Sequence, residues 1–180
     1  MGKRCVERAG ICCGYPKGMS LHLRPATRFD VAAILGLIRN LAEYEKLLPE
    51  CVATEATLDR HLFGEHPRAE VVMAEWDGEV AGFALFFYTF STFLGKPGIY
   101  LEDLFVKPPY RGKGIGKALL VYLARLASVR DCGRVEWSVL DWNEPSIGFY
   151  ESLGAKRMEE WSLFRLAGEE LARLAEAKPN

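Results

Sequence analysis

Arg111-Gly112-Lys113-Gly114-Ile115-Gly116-Lys117 puts three glycines and three cations where an apolar run hands over to a helical pattern. Backbone N–H groups at a helix start have no partner within the helix and carry partial positive charge, so they can hold a phosphate closely where no Cβ intervenes. That chemistry suits a pyrophosphate. The spacing fits neither common nucleotide fingerprint. A G-x-G-x-x-G turn needs glycine at 117, where Lys117 stands. A P-loop needs four residues before its Gly-Lys pair and a Ser or Thr after it, whereas Gly112 to Gly116 leaves three and Ala118 follows Lys117. On residue types alone, a tight turn with solvated charges remains open.

Other residue types could move protons. Glu102 and Asp103 interrupt the apolar run Ile99–Val106. Burying an unpaired carboxylate costs several kcal/mol, so the pair is either tied up in salt bridges or reserved for chemistry. Strand alternation puts the two on opposite faces and gives them different work. Phe149-Tyr150 is a core aromatic pair or, through the Tyr150 phenol, a proton donor. Asn143 is a favoured helix N-cap or a ligand contact. Glu43, Tyr44 and Glu45 close a helical pattern as a solvated face or as anionic contacts.

The elements that must position these groups follow from periodicity. Leu21 and Leu23 alternate as a first strand, and Val31, Ile34, Leu35, Ile38 and Leu41 give a helix to about Lys46. Thr54 caps a shorter helix with Leu58, Leu62 and Phe63 inward. Asp77-Gly78 between Val71–Ala74 and Val80–Tyr88 predicts a hairpin. A loop over Ser91–Gly98 precedes the strand Ile99–Val106, and the glycine turn opens a helix with Ile115, Leu119, Leu120, Leu123 and Leu126 inward. Val135–Leu140 reads as a strand, Asn143 starts a helix that Gly154 ends, and short strands are expected over Lys156–Met158 and Trp161–Leu166. An amphipathic C-terminal helix completes an α+β chain.

Composition bounds the possibilities. The 180 residues are 49% hydrophobic with net charge −1, which fits one domain over residues 19–180 and gives no positive field for nucleic acid. The charge-free run Val80–Gly95 is too short and polar to span a membrane, so a soluble protein without a membrane partner is expected. Five cysteines without paired spacing read as reduced cytoplasmic thiols. Cys5, Cys12 and Cys13 alone cannot close a tetrahedral site, so no metal is expected. Residues 1–18 read as a poorly ordered tail.

The run Tyr110-Arg111-Gly112 with Gly114, Gly116, Lys117 and Ala118-Leu119-Leu120, following Leu101-Glu102-Asp103-Leu104-Phe105-Val106, resembles the acetyl-CoA-binding core of the GNAT family of N-acetyltransferases. The likeness runs from about Leu21 to the C-terminus. Arg24-Pro25-Ala26-Thr27, Glu65-His66-Pro67, Tyr100-Leu101-Glu102-Asp103 and Trp142-Asn143-Glu144-Pro145-Ser146-Ile147 with Phe149-Tyr150 are similar to its diamine (spermidine/spermine-type) branch. The resemblance implies a GNAT fold: a mixed, mostly antiparallel sheet of about seven strands, flanked by helices and splayed at the cofactor strand. It also implies a homodimer.

The same resemblance implies the site. Leu104, Phe105 and Val106 would pair with the pantetheine arm; Arg111, Gly112, Lys113, Gly114, Ile115, Gly116 and Lys117 would hold the pyrophosphate; Asn143, Ser146 and Tyr150 would also contact acetyl-CoA. Direct transfer to an amine needs a base for the ammonium and an acid for the leaving thiolate. Glu102, through water, and Tyr150 match the family's residues for these roles, and Tyr44, Glu45, Glu102, Asp103 and Trp161 match its substrate contacts. Glu159 and Glu160 precede that tryptophan, in a segment shorter than the branch usually has. Polyamine enzymes usually carry Asp-Pro-Trp where this chain has Ser91-Thr92-Phe93. That change, with Val139-Leu140-Asp141-Trp142-Asn143, is more like the thialysine-acetylating relatives and shifts the expected substrate to a short diamine or a lysine-like amine. Acetylation of a protein lysine or N-terminus, and acyl-CoA sensing without turnover, are the alternatives.

Overall fold

The computed structural model describes residues 20–177; the expectations for residues 1–18 lie outside them. The chain divides into a body ending at Ser138 and a body beginning at Val139. In the first, strands β1 (Leu21–Pro25), β2 (Glu70–Trp76), β3 (Glu79–Ser91), β4 (Lys96–Val106) and β5 (Val135–Trp137) form one sheet in chain order. The first three junctions are antiparallel and β4–β5 is parallel. The sheet therefore has five strands among the described residues, not about seven.

The hairpin forms where Asp-Gly predicts it, with Asp77 at φ 52° and Gly78 at φ 84°. Two successive positive φ angles match a two-residue turn to the twist of its strands. Beyond that turn β3 and β4 run longer than periodicity suggests, pairing from Gly82↔Val106 to Ser91↔Lys96 and absorbing half of the expected loop.

Helix α1 (Val31–Tyr44) presents Ile34 and Leu37 to Val71 and Met73 of β2, Phe83 of β3 and Phe105 of β4, with Leu62 of α2 (Glu55–Phe63) completing this core. The Thr54 side chain caps α2 by accepting from the Thr57 amide at 3.2 Å, as its residue type predicts. Asp30 ties the end of β1 to the start of α1. It accepts from the Arg24 guanidinium at 2.7 and 2.8 Å and from the Thr27 amide at 2.7 Å. The Arg24 bonds foremost hold its carboxyl down at about 2. Helix α3 (Ile115–Val129) buries Ile115, Leu119, Leu120, Leu123 and Leu126, the stripe its spacing predicts.

The second body holds α4 (Glu144–Ser152) and α5 (Gly168–Ala175). The run between them contains turns and irregular chain, and the two strands expected over 156–158 and 161–166 are not formed. A strand needs a neighbour to satisfy its backbone groups, and nothing in the local sequence supplies one.

Candidate active site

The site begins where β4 loses a neighbour. Pairing with β5 covers only Ile99↔Val135, Tyr100↔Glu136 and Leu101↔Trp137, so from Glu102 to Val106 that edge of β4 has no ladder partner among the described residues. Leu104, Phe105 and Val106 lie on this stretch. An unpaired strand edge is a row of backbone donors and acceptors ready for an extended chain, and a pantetheine arm with its two amides can act as one. The expected splay at the cofactor strand takes this form.

The carboxylates sit at the same point. On β3 the register passes from Leu85↔Asp103 to Phe86↔Leu101, which leaves Glu102 as the extra residue of a β-bulge. A bulge interrupts strict alternation and re-aims a side chain. The expected separation of Glu102 and Asp103 onto opposite faces therefore loses its premise here. Glu102 is exposed; Asp103 is mostly covered and shares the α1 face with Phe105. Burial, then repulsion from Glu102 and Glu45, pushes the Asp103 carboxyl up from 3.8 to about 6, and neither a cation nor a hydrogen-bond donor offsets that rise among the described residues. The salt-bridge reading of Asp103 fails on this point. Glu45 follows the last residue of α1, and its carboxyl is also raised by burial.

Past β4 the chain makes one tight turn at Pro108–Tyr110 and enters the glycine segment. Gly114 caps α3 with φ 77°, a left-handed conformation costly for any residue with a Cβ. The first amide of α3 with a backbone acceptor is Ala118, which donates to the Gly114 carbonyl at 3.0 Å. The amides of Gly112, Gly114, Ile115, Gly116 and Lys117 meet no backbone acceptor among the described residues. A Cβ at Gly112 would meet nothing within 4 Å, so the approach to these amides is open. The segment fits a diphosphate.

Two of its cations are placed in ways the spacing did not suggest. Arg111 donates from Nε to the Val106 carbonyl at 2.9 Å, with its guanidinium carbon 4.8 Å from the Tyr44 ring centre and 5.5 Å from that of Phe105. Lys113 Nζ stands 4.8 Å from the Trp76 ring centre and 5.3 Å from that of Tyr110. Trp76 and Tyr110 were missed by sequence reasoning because the sheet register and the proline turn, not local pattern, bring them beside Lys113.

In the second body Asn143 does cap α4, its side chain accepting from the Ser146 amide at 3.4 Å. Tyr150 lies on α4 beside Phe149, with ring centres 5.4 Å apart. Trp161 sits on the irregular run and is exposed. The structure thus brings Tyr44, Glu45, Glu102, Asp103, Leu104–Val106 and 111–117 into the first body, and Asn143, Ser146, Tyr150 and Trp161 into the second.

Comparison with known proteins bears on this arrangement. The model of the acetyltransferase (GNAT) family matches residues 38–155. A thialysine N-epsilon-acetyltransferase of Bos taurus is 39% identical over 164 residues, which covers 85% of this chain and 96% of that protein. An L-ornithine N5-acetyltransferase of Arabidopsis thaliana is 35% identical, covering 85% and 87%. Among solved structures, an integron cassette protein from V. cholerae superposes with a TM-score of 0.75 at 30% identity, covering 89% of this chain and all of that one.

Proposed function

The chain belongs to the GNAT family of acetyltransferases, and from that premise we propose that it moves an acetyl group from acetyl-CoA to a primary amine of a small cationic substrate. A lysine-like amino acid or a short diamine is the preferred acceptor. Acetyl-CoA supplies the reaction with a thioester carbonyl carbon open to attack. The observation that carries the proposal is the presence, in one body, of the open amides of Gly112, Gly114, Ile115, Gly116 and Lys117 and of a partly buried, unpaired carboxylate, Asp103, at the free edge of β4.

The residues divide the work accordingly. Amides 112–117 hold the diphosphate, and the β4 edge from Leu104 to Val106 aligns the pantetheine arm; Asn143 and Ser146 add contacts from the start of α4. Tyr44, Glu45, Glu102, Asp103 and Trp161 receive the cationic amine. Glu102 takes a proton from the ammonium through water, which frees the nitrogen lone pair for the carbonyl carbon. As the new C–N bond forms and the C–S bond breaks, Tyr150 gives its phenolic proton to the departing thiolate. The products are an amide and free CoA thiol: the first ammonium proton passes through Glu102 and water to solvent, and the second, shed by the nitrogen as the amide forms, restores the Tyr150 phenol.

Asp103 supports a second reading of the base. Its carboxyl, lifted to about 6, lies closer to working pH than an ordinary carboxylate, which suits a proton acceptor. Substrate choice is supported by the bovine relative's activity and by Phe93, 96% exposed between β3 and β4 where polyamine enzymes carry tryptophan. We place the protein in the cytoplasm, where the free thiols of Cys51 and Cys132 stay reduced, as a homodimer whose second copy covers apolar surface such as Phe90 and Phe93.

The test is thiol release from acetyl-CoA with a panel of thialysine, lysine, ornithine, putrescine and spermine. Higher kcat/KM for the lysine-like amines or putrescine than for spermine is expected. Equal turnover of spermine would remove the substrate preference. Acetyl-CoA binding with no amine-dependent release would leave a sensor, and turnover of a lysine peptide alone would leave a protein acetyltransferase.

A further inference from the structure

The position of Arg111 does not suit a cation that serves the diphosphate alone. Its Nε–H is committed to the Val106 carbonyl at 2.9 Å, a bond that closes the chain from the last residue of β4 to the first residue before the glycine turn. Its guanidinium carbon lies over the ring of Tyr44, the last residue of α1, and over the ring of the buried Phe105. Beyond Tyr44 the helix stops sharply, with Glu45 as C-cap and Lys46 at φ 62°. Glu45, just past α1, is the carboxylate whose charge reaches Asp103. One side chain thus touches the root of the diphosphate turn, the end of the splayed strand and the helix end that carries the acids of the amine pocket.

We propose that Arg111 is a positioning residue that couples the two halves of the site, fixing Tyr44 and Glu45 against the root of the turn so that acetyl-CoA and the amine each strengthen binding of the other. The inference rests on the proposed function, with 112–117 holding the coenzyme and Tyr44, Glu45 and Asp103 receiving the amine. Only arginine suits the position. A planar guanidinium can stack on a ring while its Nε–H bonds a carbonyl at the edge, whereas a lysine ammonium keeps the charge but cannot hold both contacts in one geometry. The pull between cation and rings also does not depend on a ligand, so the brace stands before either arrives. A ligand that restrains one end then lowers the cost of ordering the other, and by linkage the benefit is mutual.

The test uses free CoA as the coenzyme probe, because it forms a dead-end complex with the amine and cannot react. Calorimetric titration gives its Kd with and without a saturating amine chosen from the panel. In the unmodified protein the amine should tighten CoA binding about fivefold, the low end of ordinary coupling between sites. Arg111→Lys and Tyr44→Leu should each reduce that factor to below twofold, and the double variant should lose no more than either alone. Steady-state rates supply a second reading: KM for both substrates rises about two- to fivefold in Arg111→Lys while kcat at saturation stays within twofold. Thermal melting of each variant confirms the fold, and the lysine variant keeps the test valid if the leucine variant fails to fold. Coupling retained in Arg111→Lys overturns the proposal, as does a variant that weakens CoA alone and leaves the amine effect intact. CoA failing to bind the unmodified protein overturns the functional reading itself, and this proposal with it.

Discussion

Replacing Asp103 by Asn should make the protein more stable at neutral pH while impairing it as an enzyme. The carboxyl is lifted from 3.8 to about 6 by burial and by the negative charge of Glu102 and Glu45. A folded-state pKa above the unfolded value means that the folded protein binds the proton more tightly, so stability falls as pH rises from about 4 through about 6 and stays lowered above that. Two pKa units amount to about 3 kcal/mol, and because the group borders the open edge of β4, solvent screening reduces this to about 1–2 kcal/mol. For a chain of this length that is a rise in Tm of about 2–8 °C for Asp103→Asn above pH 7, shrinking to nothing near pH 4. Thermal melts of both proteins from pH 4 to 8, without ligands, make the comparison. A Tm difference that does not change with pH, or an asparagine variant less stable at pH 7.5, would refute the assignment of Asp103 as an unpaired, strained acid.

Three further substitutions separate the roles. Tyr150→Phe should leave acetyl-CoA affinity unchanged while lowering kcat at least tenfold, since a positioned acid contributes roughly 10²–10⁴; unchanged turnover would remove the tyrosine as donor. Glu102→Gln should lower kcat at neutral pH and recover part of it as pH approaches the amine pKa, because solution then supplies the free amine; a pH-independent loss would assign the base to Asp103 or to solvent. Gly114→Ala forces a Cβ into a left-handed position beside the open amides, so acetyl-CoA affinity should fall about tenfold or more in calorimetry. Normal affinity there would show that the coenzyme does not use the turn.

What could be read from the sequence was local. Asp77-Gly78, the Thr54 and Asn143 caps and the α3 stripe from Ile115 to Leu126 depend on neighbours within a few residues, and each formed as its chemistry dictates. The glycine turn was legible for the same reason. The long-range features were not. The reach of β3 and β4 through Ser91↔Lys96 depends on a ladder that carries Pro97 and Gly98 into a strand their propensities oppose. The bulge at Glu102 exists only in the β3–β4 register, and it undid an alternation that sequence alone had no reason to doubt. Trp161–Leu166 alternates well enough for a strand, but strand formation waits on a partner edge that the pattern cannot name. The seat of Arg111 over Tyr44 joins residues far apart in the chain, so charge counting placed that cation on the diphosphate alone.

Amide hydrogen exchange, read residue by residue with and without acetyl-CoA, tests most directly whether the turn and the free strand edge hold the coenzyme together. Strong new protection at 112–117 and along Leu104–Val106, with little change at the far β1 edge, is the predicted result. Saturating acetyl-CoA that leaves both segments exchanging at their unliganded rates would contradict it.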